Sequence, residues 1–344
     1  MDSLTHIALG ACMGEAFAGK TVGRKTMLWG ALAQSIPDID FLAAFWMNTA
    51  DNLLAHRGFT HSILFGLVIT FVMASLAERW HRPHNISLMR WISFFGAVIL
   101  THIFLDAFNN YGVAWFEPFS HYRISFNMVY VADPFFSTAP AIALVMLLVL
   151  RQKDRKTKDW NVKRRFWLRF GLIPCFCYLG YAGINKVIVN RDVKQVFATQ
   201  NIKYTRYFTT PAPLQNWLWY VVAGNDTGYY AGYRSVFDKT GKKMELTYFP
   251  RNSELIDTMM YKREVQQLVR FSQEFYSIEK KQDTMLFSDL RFGQIIGWQD
   301  PKEGFAFYYY LHPDIDNTLV VQRGRFAKWN GKAFRTLLHR IAGN

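Results

Sequence analysis

Seven of the nine histidines fall within the first 121 residues, and several stand beside a carboxylate or a second histidine. His102 and Asp106 are i and i+4 in an apolar stretch. On a helix both side chains leave one face about a turn apart, where they can share a cation. In His56-Arg57-Gly58-Phe59-Thr60-His61-Ser62, two imidazoles flank the point where a loop enters an apolar run. Gly58 permits a tight turn there, and Thr60 is a natural N-cap. Arg57 is suited to clamp an anionic substrate oxygen such as a phosphate. Pro37-Asp38-Ile39-Asp40 breaks another apolar stretch with two carboxylates, which are costly in that setting unless a cation neutralises them. One of the pair then ligates directly, and Asp40 bridges, orients a ligand or acts as a general base. His6, in Asp2-Ser-Leu-Thr-His6, adds a further imidazole.

Each feature alone has an ordinary explanation: a polar helix end for His102 and Asp106, a satisfied histidine, an aspartate N-cap. Taken together, nitrogen and carboxylate donors from four segments are harder to account for as caps or core residues. A mixed imidazole and carboxylate set suits Zn²⁺, Mn²⁺ or Fe²⁺ and does not suit a Ca²⁺ loop. The number of donors suggests two or more ions, zinc foremost, and ions about 3.5 to 4 Å apart can drive hydrolysis of a phosphate ester. His121, Asp133, Tyr111-Gly112, Pro118 and Arg123 lie in a loop that would close over such a site. His81 and His84 sit beside Arg79 and Arg82 and are left out.

The elements that must position these residues are apolar. Gly58 to Ala77 is twenty residues without Asp, Glu, Lys or Arg, enough to cross a bilayer. Trp91 to Leu105, Pro134 to Leu150 and Phe170 to Asn185 follow, and Ser3 to Gly14 and Thr26 to Trp46 precede, giving about six segments. Residues 151 to 169 carry nine Lys or Arg, which marks that loop as cytoplasmic. Alternation then places Lys20-Arg24-Lys25 and Arg79-Arg82-Arg90 on the same side and the candidate site on the periplasmic one. Basic residues clustered beside apolar spans are read as cytoplasmic anchors at an anionic leaflet, so the net charge of +14 does not call for nucleic acid and no nucleic-acid partner is expected.

With 344 residues, 51% hydrophobic and 17% aromatic, the chain is neither disordered nor fibrous. Cys12, Cys175 and Cys177 form no framework, and the N-terminus lacks the basic region of a cleaved signal. Beyond about Val193, short aromatic runs such as Trp217 to Val222 alternate with turn signals, and Ser253 to Phe275 has helical apolar spacing. The expected architecture is an α-helical membrane domain, 1–190, followed by a small α+β extramembrane domain, 191–344.

Asp2-Ser-Leu-Thr-His6, Pro37-Asp38-Ile39-Asp40, His56 to Ser62, His102-x-x-x-Asp106 and Tyr111-Gly112 together resemble the bacterial LexA-regulated, inner-membrane-bound, metal-dependent hydrolase family. The likeness runs through roughly the first 140 residues. It implies that His6, Asp38, Asp40, His56, His61, His102 and Asp106 are the matching polar positions, and that the chain is a multi-pass inner-membrane protein. Two functions are weighed. The first is a metal-dependent hydrolase acting at the outer membrane face on a lipid or lipid-linked phosphoester, with Asp40 and Arg57 in catalytic roles. The second is a non-catalytic membrane scaffold or binding protein whose metal holds helices together.

Overall fold

The computed structural model describes residues 1–150, 157–260, 262–282, 284–311, 320–321, 326 and 328–344. Helices in the first part of the chain are α1 (Ser3–Ala18), α2 (Lys25–Ser35), α3 (Thr49–Ala55), α4 (Ile63–Trp80), α5 (Leu88–Asp106), α6 (Pro134–Val149) and α7 (Lys158–Thr199). Their starts follow capping chemistry: Asp2, Ser62, Ser87 and Asp133 each accept a backbone N–H of the first turn, of α1, α4, α5 and α6 respectively. The cap of α4 is therefore Ser62, where the sequence had pointed to Thr60.

Among the described residues, three helices, α4, α5 and α7, are long and apolar enough to cross a membrane, and α6 is a shorter apolar helix. Three of the six expected segments, α1, α2 and α6, fall short of that length. The stretch Thr26 to Trp46 is an α-helix of only 11 residues, about 16 Å long, too short to span. Pro37 cannot continue it, and the chain passes into a 3-10 helix, Pro37–Phe45, that carries both aspartates. The first segment is a 16-residue α1. Of the basic residues expected in one cytoplasmic loop, Arg151, Lys153, Arg155 and Lys156 lie outside the described residues, and Lys158 to Arg169 begin α7.

The chain divides into two compact units. The first comprises Met1–Leu42, Ala55–Phe126 and Val131–Tyr181. In it α1 and α2 touch backbone to backbone: a Cβ added at Gly14 would lie 1.9 Å from the Thr26 carbonyl oxygen. Small residues permit that approach, as they do between helices in lipid. Trp91, Phe95, Val98 and Ile99 of α5 pack with Ala74 and Ala77 of α4 in a fully buried core.

The second unit comprises Ala43–Leu54, Asn127–Tyr130 and Ala182–Asn344. It holds one antiparallel sheet of β1 (Arg206–Pro211), β2 (Leu218–Gly224), β3 (Gly228–Ser235) and β4 (Leu246–Pro250) in that order. A second contains β5 (Tyr276–Lys281), β6 (Thr284–Asp289), β7 (Tyr308–Leu311) and β8 (Val320–Val321), also in order. Every residue of β2 is buried, as befits an inner strand. The helical spacing of Ser253 to Phe275 resolves into a 3-10 helix, Ser253–Met259, and α8 (Arg263–Phe271), and α9 (Gly331–Ile341) closes the unit. Residue 190, the expected boundary, lies inside α7, which continues to Thr199.

Candidate metal centre

Four side chains from three elements converge in the first unit. Asp38 comes from the 3-10 helix after α2, His61 from the turn before α4, and His102 and Asp106 from the last turns of α5. One donor atom from each lies within 4.8 Å of the other three. The His61 Nε2 to His102 Nε2 distance is 3.2 Å. Asp106 Oδ2 is 3.3 Å from the first nitrogen and 3.7 Å from the second. Asp38 Oδ1 is 3.6 and 3.5 Å from the same two atoms. For ligand bonds of about 2.0 to 2.1 Å, the edges of a tetrahedron are about 3.4 Å. Five of the six donor–donor edges, 3.2 to 3.7 Å, have the size expected of a tetrahedral zinc shell.

The protons of this cluster follow from its neighbours. His102 Nδ1 faces the carbonyl oxygen of Gln34 at 2.5 Å, and a carbonyl only accepts, so the N–H is at Nδ1 and the lone pair at Nε2. His61 Nδ1 lies 3.2 Å from Asp40 Oδ2, which fixes the same tautomer. Two imidazole lone pairs and two carboxylate oxygens then point at one space with no proton among them. Asp106 Oδ2 is buried and makes no well-aligned hydrogen bond among the described residues, although the Arg57 guanidinium pairs with it, Nε 2.9 Å away. Such an arrangement is costly unless a cation sits within it, so the residues fit a divalent metal. Carbonyl and carboxylate partners behind the two histidines are what zinc-ligating imidazoles normally have.

The remaining sequence-selected residues surround this set without joining it. Asp40 stands behind His61: its Oδ2 accepts the Arg57 backbone N–H at 2.7 Å and the Thr60 hydroxyl at 3.3 Å. Its Oδ1 faces His56 Nδ1 at 3.1 Å. Burial alone would raise the Asp40 carboxyl, but the hydrogen bonds from His56 and His61 hold it below the usual carboxylate range. Burial pushes the His56 imidazole down despite that carboxylate, and its side chain remains 39% exposed. His6 Nε2 lies 3.1 Å from Asp106 Oδ1, and its ring stacks on His102 with centroids 3.8 Å apart.

Arg57 is spent within the protein. Its Nε is 2.9 Å from Asp106 Oδ2, its Nη1 donates to Asn109 Oδ1 at 2.7 Å, and its Nη2 reaches the Met1 carbonyl. The Met1 amino group lies on Asp106 Oδ1. The guanidinium is buried, so the substrate-clamping role read from the sequence gives way to neutralising Asp106. The turn that brings it there falls on two residues. Arg57 takes φ +59°, and Gly58 takes φ −88°, ψ −124°, which side-chain-bearing residues avoid.

His121 is exposed and pairs with Glu117, while Asp133 caps α6 and accepts the Tyr178 hydroxyl at 2.7 Å, so neither joins the cluster. Arg123 donates to the His56 carbonyl at 2.7 Å and so braces the site's loop. Trp29 donates to His81, away from the cluster. Sequence reasoning passed over Gln34 and Asn109. Gln34 is a lone amide in an apolar helix four residues before Asp38, a spacing that could have drawn attention to it.

Comparison with known proteins agrees on the region. The model of the YdjM inner membrane protein family matches residues 1–189, more than half of the chain and all of the cluster. Inner membrane protein YbcI of Escherichia coli (strain K12) is 30% identical over 122 residues, 35% of this chain and 69% of that protein. Uncharacterized protein YfhP of Bacillus subtilis (strain 168) is 31% identical over 142 residues, 39% of this chain and 42% of that protein. No solved structure matches.

Proposed function

The chain belongs to the YdjM inner membrane protein family, and from its buried donor cluster we propose a membrane-embedded, metal-dependent hydrolase of a lipid or lipid-linked phosphoester. The observation that carries this reading is the convergence of four proton-free acceptor atoms at tetrahedral spacing. Asp38, His61, His102 and Asp106 would hold the ion, most simply zinc, with manganese or iron as alternatives. A bound divalent metal supplies an acidified water and polarises a phosphoryl oxygen.

The chain's own residues prepare that chemistry. Asp40 and the Gln34 carbonyl keep the two ligating imidazoles in the tautomer that offers a lone pair. Arg57 balances the second buried aspartate. Asp106 turns its Oδ1 toward His6 and the Met1 amino group and its Oδ2 toward the cluster, so Oδ2 is the oxygen that would serve as a ligand. The Asp38 side chain is 19% exposed while those of His61, His102 and Asp106 are fully buried, so substrate would approach past Asp38. Basic residues at 20–25 and 79–90, together with those at 158–169, support a periplasmic site and C-terminal unit. Cysteine placed at Asn225 should then be labelled from the periplasm, and labelling only from the cytoplasm would reverse the orientation.

The test is zinc-dependent phosphate release from phospholipid mixed micelles. Activity in the purified protein, lost in Asp106→Asn, is expected, and full activity of that variant would sink the assignment. A second reading rests on a specific feature: four protein donors already complete a tetrahedron, as in structural zinc sites. A metal-loaded protein with no turnover, whose melting temperature falls on chelation, would favour that scaffold.

A further inference from the structure

An apolar groove of about 470 Å³ lies along α5 in the first unit, with the first residue of α4 and Trp115 completing its lining. Ile63, Ala97, Leu100, Thr101 and Phe104 line it, and Trp115 covers one end. The groove extends over residues 97 to 104 of α5, about 10 Å along the axis, within the size range of ligand sites. Its upper end is level with the metal centre, because Ile63 follows His61 by two residues and Thr101 and Ile103 flank His102. The opposite end runs into the apolar length of two helices able to cross a membrane.

From Trp115, which lines the groove, the chain runs on into a loop rich in exposed aromatics. Phe116, Phe119 and Tyr122 are 49%, 84% and 71% exposed. The loop is held in place: Ile63 N–H donates to the Trp115 carbonyl at 2.9 Å and Ala114 N–H to the Arg57 carbonyl at 3.0 Å. Trp115 Nε1 donates to the Ile103 carbonyl at 3.2 Å. Exposed aromatic side chains at the end of membrane-length helices are the mark of the lipid–water interface.

We propose that this groove seats one fatty-acyl chain of a phospholipid, with the lipid's polar head at the Trp115–Tyr122 loop. The occupant is hydrocarbon because the groove lies on α5, a helix long and apolar enough to span, and it is the end of a lipid rather than mid-bilayer packing because Ile63 at the start of α4 and Trp115 of the aromatic loop both line it. Phosphate groups of that leaflet then lie at the depth of Asp38, His61, His102 and Asp106. The inference rests on membrane insertion and the groove, and it stands whether or not the metal centre is catalytic.

The experiment uses the full chain in phosphatidylethanolamine/phosphatidylglycerol vesicles doped with a phosphatidylglycerol carrying a diazirine on one acyl chain. After photolysis, adducts should concentrate on Ile63, Leu100, Thr101, Phe104 and Trp115. In Ala97→Trp, an exposed position that fills the groove, those adducts should fall by about tenfold, equivalent to about 1.4 kcal/mol of lost binding. Adducts on Val145 of α6 should not change. Thr101→Phe serves as a second block should the first variant fail to fold. Adducts spread over α4, α5 and α6 in proportion to exposure, or unaltered by either block, would overturn the proposal. So would labelling by a diazirine isoprenoid phosphate in place of the phospholipid. Metal content measured on the same samples separates this outcome from failure of the hydrolase reading.

Discussion

At the scale of single residues, the centre depends on where protons are absent. His61 and His102 can offer lone pairs to a shared ion only because Asp40 and the Gln34 carbonyl hold the opposite ring nitrogens. Asp40→Asn keeps the shape but removes the charge behind His61. Zinc affinity, measured by chelator competition, should fall by about 10- to 100-fold with the helical content intact. Unchanged affinity would mean that Asp40 does not orient the ligand. The candidate donors themselves were open to sequence reading, because a charged or imidazole group in an apolar stretch costs too much to be incidental. Their division of labour was not. Asp40 and Asp38 are two residues apart in a 3-10 helix, and nothing in that spacing says which one faces the ion. Arg57 read equally well as a substrate clamp until Asp106 and Asn109 were found to occupy it.

At the scale of elements, the centre is assembled by a short helix pair as much as by spanning helices. Gln34 and Asp38 reach the cluster because α2 stops at Ser35 and lies directly on α1. Gly14→Leu would force side-chain atoms into the Thr26 backbone, separating the two helices and displacing Asp38. It should destabilise the protein by about 3 kcal/mol, read as a lower melting temperature in detergent together with weakened metal binding. Gly180→Leu on α7 is the control, since a Cβ there meets nothing within 4 Å. Equal behaviour of the two variants would remove α1–α2 contact from the account. The long apolar helices α4 and α5 were readable from hydrophobic length alone. The break at Pro37 was visible too, but hydropathy could not distinguish a kinked span from a short helix running into a 3-10 turn. In the second unit the strands were readable only as alternating runs, since their pairing depends on partners far apart in the chain.

At the scale of the whole molecule, family membership and the cluster coincide: the matched residues, 1–189, contain every donor described, and the two antiparallel sheets lie beyond them. The part of the chain that the family shares is therefore the part that carries the candidate donor cluster. The measurement that tests this most directly is elemental analysis of the detergent-purified protein beside His102→Ala/Asp106→Ala. At least one equivalent of zinc, manganese or iron in the wild type, lost in the folded double variant, is the expected result. A folded wild type that stays free of metal even after zinc is added would contradict the metal centre, and with it the proposed hydrolysis.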